Sequence, residues 1–158
     1  MPIAPQIARH LRELHFGKNW TDSSLKDHLA DVSWQEATTQ VQTFNTIVAL
    51  VYHINYYTTA ISGVLQGQPL QSSDKLSFDH PPIHDEKDWQ QLLQNMWTAA
   101  ETLARQIELL PDSRLDDTFV NDQYGSYFRN LQGVIEHAHY HLGQIVLIKK
   151  WLREKSAS

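Results

Sequence analysis

Apolar residues recur at helical spacing in four long stretches of the chain, separated by polar, turn-forming segments. From Pro2 to Leu14 the stripe is Ile3, Ile7, Leu11 and Leu14, a three-to-four-residue repeat that predicts a first packed helix. Phe16-Gly17 ends it, because glycine suits the position just past a final helical turn. From about Thr43 to Leu65, Phe44, Ile47, Val48, Val51, Ile54, Ile61 and Leu65 make a broad apolar face, which Tyr57 and Val64 extend. Several of these residues are β-branched, but the length and spacing favour helix over strand. A third helix is predicted from Trp89 to Leu110 and is stopped by Pro111. A fourth runs from Tyr124 to Arg153, with Phe128, Leu131, Val134, Ile135, Ala138, Leu142 and Ile145 toward the core.

The connections carry their own signals. A short helix is expected over Leu25–Leu29, and Ser33-Trp34-Gln35-Glu36 fits a capping box that starts another short turn. Trp20, in the first polar segment, is expected to fold over the core or to line a pocket mouth. Between the second and third long helices, Gly67, Pro69, two serines and Pro81-Pro82 forbid a continued helix. That link is long for a bundle loop and reads as an ordered crossover or a lid. The pattern predicts an all-α protein: a four-helix bundle with a long crossover between helices 2 and 3, in one domain over residues 1–158.

Composition narrows the functions. Apolar residues make up 41% and charged residues 20%, as in ordinary globular proteins. A net charge of −5 without a basic run argues against nucleic acid as a partner. No apolar run is long enough for a membrane span, and the N-terminus lacks a signal-peptide plan, so a cytoplasmic protein with no membrane partner is expected. With no cysteine, disulfides, zinc-thiolate sites and a cysteine nucleophile are excluded, and any sulfur chemistry must use a substrate thiol. Nine histidines against two methionines is an enrichment that makes a metal site worth seeking.

Three of those histidines, His137, His139 and His141, alternate along the fourth helix. At about 100° per residue, His137 and His141 fall about 40° apart on one edge of the apolar stripe. His139 points elsewhere, and so does Glu136. Two imidazoles at i and i+4 can hold two corners of a metal site, so this helix offers half a centre. Gln144 follows on the same side. His53 lies at the margin of the second helix's apolar face, where a lone histidine is ordinarily structural. His10, His80 and His84 read as solvated side chains.

Three segments together resemble the DinB/YfiT-like superfamily of four-helix-bundle metalloproteins. GVIEHAHYHLGQI is similar to its histidine–glycine–glutamine signature, at His137, His141, Gly143 and Gln144. ALVYHINYY is similar to its single-histidine motif at His53, and FGKNWTDSSLKDHLADVSWQEA resembles the N-terminal segment of one subgroup, with Asp22 where relatives often have glycine. The resemblance implies one divalent metal, zinc or nickel, held by His53, His137 and His141 with water at the remaining positions. It implies a homodimer acting on a small-molecule substrate, and in some relatives a low-molecular-weight thiol cosubstrate. Gln144, Tyr57 and Trp20 are the candidate pocket residues. Three imidazoles leave a coordination position open, as catalytic sites do. With the resemblance, transfer of a low-molecular-weight thiol to an electrophile is the leading expectation. A hydrolase using metal-bound hydroxide, a non-enzymatic metal-binding bundle and a set of plain core-edge histidines stay open.

Overall fold

The computed structural model describes residues 2–156. Seven α-helices follow one another: α1 (Ile3–Phe16), α2 (Leu25–Leu29), α3 (Trp34–Thr38), α4 (Ile47–Leu65), α5 (Asp74–Ser77), α6 (Glu86–Glu108) and α7 (Tyr127–Ser156). A single 3₁₀ turn, Asp112–Arg114, lies between α6 and α7, and no strand forms among the described residues. Four helices are long. α1 packs on α6 and α7, and α4 packs on the same two, so all four enclose one core.

Side-chain caps set most helix starts. Ser24, Ser33, Thr46, Ser73 and Asp85 each accept a backbone N–H from the first turn they precede. Ser33 and Glu36 form the reciprocal capping box that their spacing predicts. α1 has no local side-chain cap; its first amides, of Ile3 and Ala4, donate to the Asp112 carboxylate at 2.7 and 2.9 Å. That carboxylate sits at the positive end of the helix dipole and ties α1 to the link after α6. Trp89, fully buried, donates its indole N–H to the Val32 carbonyl at 2.8 Å, which pins the α3 segment to α6.

Several expectations are corrected. α4 begins at Ile47 instead of Thr43, because Thr46 caps it, and Phe44 is left in a turn with half its surface exposed. Ile3 and Phe128, assigned to the core by periodicity, are also largely exposed, since each lies in the first turn of its helix where few neighbours reach. Trp20 covers no core: it stands fully exposed and borders neither of the cavities described below. The long link between α4 and α6 contains a helical turn, α5, that packs on α4. Ser73 starts that turn between the breakers at Pro69 and Pro81.

His15 is the one histidine in the core with no exposed surface. Its Nδ1–H donates to the Leu11 carbonyl at 2.8 Å, its Nε2 has no partner among the described residues, and burial pushes its pKa down to about 4. An unfolded histidine titrates near about 6.5, so as pH falls the unfolded chain takes up this proton first. The stability due to neutral His15 is complete above about pH 6.5 and lost as pH drops toward about 4. Urea denaturation across that window should show a steeper loss for the wild type than for His15→Leu; equal slopes would contradict the assignment.

Candidate metal centre

α4 and α7 pack side by side, and their contact brings together one histidine from the first and two from the second. His137 Nε2 lies 2.9 Å from His53 Nε2 and 3.1 Å from His141 Nε2. His139 and Glu136, on the other faces of α7, take no part, and neither do His10, His80 or His84. His53 and His141 are buried and His137 is half-buried.

The outer nitrogens decide what the inner ones can do. His53 Nδ1 lies 2.8 Å from Ser77 Oγ, whose own proton is donated to the Asp74 carbonyl at 2.7 Å. Ser77 must therefore accept, His53 must carry its proton on Nδ1, and its Nε2 presents a lone pair inward. His141 Nδ1 is likewise 2.6 Å from the carbonyl oxygen of Gln144, which leaves a second inward lone pair on Nε2. His137 Nδ1 is buried with no partner among the described residues. No group among the described residues thus fixes the tautomer of His137 from its outer side.

All three rings are held neutral. Burial pushes His53 down to about 4, helped by His141, and pushes His137 down to about 4, helped by His141 and His53. Burial also lowers His141, although Gln144 opposes the shift. Neutral imidazole is the metal-binding form. Nitrogens bound at about 2.0–2.1 Å to one tetrahedral ion stand about 3.3 Å apart, close to the 2.9 and 3.1 Å that separate His137 from its two neighbours, and all three candidate ligand atoms lie within 4.8 Å of one another.

Aromatic rings enclose the cluster. Phe78, just past α5, stacks on His53 at 4.0 Å with 12° between planes. Tyr57 meets His53 and His137 edge-on, each at 5.1 Å, and Tyr140 meets His141 at 5.0 Å. The Tyr57 hydroxyl donates to Asp74 at 3.0 Å, and burial together with that carboxylate raises its pKa. A cavity of about 700 Å³ opens beside the histidines, bordered by His53, Tyr57, Asp74, Phe128, Arg129, Glu136 and His137 among others. Gln144 borders a separate groove with Phe44, Leu147 and Trp151.

Sequence reasoning missed Asp74, Ser77 and Phe78. Ser73 ahead of Asp74 was a legible sign of a helical turn, but nothing local showed that the turn reaches His53, 24 residues away. No family model, curated protein or solved structure matches this chain.

The tautomer argument can be tested directly. Ser77→Ala and Gln144→Leu each free one outer ring nitrogen, and each should weaken metal affinity about 10–100-fold with helical content unchanged. Competition against a chromophoric chelator measures this; full affinity in both variants would show that these acceptors do not orient the ligands.

Proposed function

We propose that this chain is a metal-dependent enzyme of the DinB/YfiT-like kind. In this reading it is a four-helix bundle with a crossover between its second and third long helices. It holds one divalent transition metal at His53, His137 and His141 and transfers a low-molecular-weight thiol to an electrophile. The observation that carries the metal assignment is the pair of inward lone pairs on His53 and His141, fixed by Ser77 and Gln144 and converging on His137 Nε2. Zinc or nickel fits the donor set, because imidazole suits both. The thiol, the small-molecule electrophile and a homodimeric assembly rest on the sequence resemblance.

A divalent ion bound by three neutral imidazoles keeps its charge, and it supplies a Lewis acid that favours the thiolate form of a thiol near neutral pH. In the net reaction a sulfur–carbon bond forms and the bond from that carbon to its leaving group breaks. The leaving group departs with the electron pair, and the thiol proton leaves to water. The chain's own residues supply position and environment. Ser77 and Gln144 orient two ligands, Phe78 shields the cluster from water, and Tyr57 stays protonated on the cavity wall. The absence of cysteine fits a reaction whose sulfur arrives with the substrate.

Elemental analysis of untagged protein, wild type beside His137→Ala, tests the reading. Near-stoichiometric zinc or nickel in the first and loss in the second is expected. The loaded wild type should then consume thiol and a haloaromatic electrophile together. Ester turnover without thiol would point to a hydrolase instead. A wild type that takes up no metal from zinc or nickel solutions would remove the metalloenzyme reading.

A further inference from the structure

The chain has six arginines, and five of them are paired with carboxylates. Arg9 meets Glu13, Arg12 meets Glu101 and Glu108, Arg105 meets Glu101, Arg114 meets Asp117, and Arg153 meets Asp31 and Glu36. Arg129 has no ion-pair partner among the described residues, and it is the arginine that borders the cavity beside the histidines.

Its position depends on a local backbone feature. Gly125, just before α7, has φ +72°, in the left-handed region that favours glycine. A Cβ at that position would sit 2.9 Å from Arg129 Cδ, so the missing side chain at 125 makes room for the stem of Arg129 to lie back over it. The stem of Arg129 therefore runs back toward Gly125, the direction along the chain away from His137, while the residue still borders the cavity. Arg129 and His137 are eight residues apart on α7, about 12 Å along the helix axis at about 1.5 Å per residue.

The other charges around the cavity do not neutralise it. Asp74 borders the same cavity and accepts a hydrogen bond from the Tyr57 hydroxyl, and it forms no ion pair with Arg129 among the described residues. Glu136 is next to His137, about 10 Å along the axis from Arg129, and forms no ion pair with it. A planar guanidinium with its donors free is suited to two-point binding of an oxyanion. We infer that Arg129 is an anion anchor: the cavity takes an elongated small molecule whose reacting group lies at the three histidines and whose carboxylate or phosphate tail lies on Arg129, more than two helical turns away along α7. This rests on the metal reading above and narrows its substrate to an anionic, chain-like thiol.

The test uses cobalt(II)-loaded full-length protein and the sulfur-to-metal charge-transfer band as its readout, without any assay of turnover. The probes are ω-mercaptocarboxylates of increasing chain length, the matching ω-mercaptoalkyl phosphates and the matching ω-mercaptoalcohols. Wild type should bind the anionic thiols more tightly than the alcohols, with an optimum at an intermediate length, and the stronger anion series identifies the tail. Arg129→Gln should lose about 10–100-fold of affinity for the anionic thiols and keep its affinity for the alcohols. Arg129→Lys should recover part of the loss. Equal binding of acid, phosphate and alcohol by wild type, or a preference that survives in Arg129→Gln, would overturn the anchor while leaving the metal centre standing. Cobalt uptake with no band from any thiol would overturn the thiol assignment, and no cobalt uptake would overturn the metal reading and the anchor with it.

Discussion

Three neutral imidazoles cannot rest comfortably with their lone pairs aimed at one point, and this constraint organises the structure around α4 and α7. Two of the rings have no freedom to turn the problem aside. Ser77 has spent its proton on the Asp74 carbonyl and must accept from His53, while Gln144 offers its carbonyl oxygen to His141. A single proton on His137 Nε2 could satisfy only one neighbour well, whereas a cation satisfies all three. The unpartnered Nδ1 of His137 shows the same thing from the outer side: the protein leaves that ring's state open.

Burial has two consequences here. It disfavours the protonated form of the histidines, with His53 and His137 pushed down to about 4, and so keeps them in the neutral form that a metal would need. It also leaves polar atoms without water, a cost that the hydrophobic core elsewhere must offset. That core is continuous, from α1 through Trp89 and Met96 of α6 to Leu131 and Ile145 of α7. The link between α4 and α6 completes the arrangement. Far from being an idle connection, it brings a hydrogen-bond acceptor, an aromatic cover and a carboxylate to one face of α4.

Periodicity was a good guide where the neighbours of a residue lie on its own helix or across a long packed face. Leu131, Val134, Ile135, Ala138, Leu142 and Ile145 are all buried as their spacing predicts, and Ser33 and Glu36 pair as their spacing predicts. It misled at the helix ends. Phe44, Ile3 and Phe128 continue an apolar pattern past the point where a second helix is present to cover it. Trp20 shows the same weakness in a loop, where hydrophobicity alone does not say whether there is a surface to fold against.

The amino-acid sequence by itself determined the all-helical build, the positions of the four long helices and the shared edge of His137 and His141, because each of these follows from repeats within a few residues. It also excluded thiol ligands, since there is no cysteine to supply them. Only the tertiary structure showed that His53, offered by the resemblance but ordinary by its own spacing, stands against His137, 84 residues later, that Ser77 and Gln144 hold the outer nitrogens of two rings, and that Arg129 borders the cavity without an ion pair among the described residues. The reason is geometric. Helical periodicity specifies which way a side chain points about its own axis, and says nothing about which other helix stands in front of it.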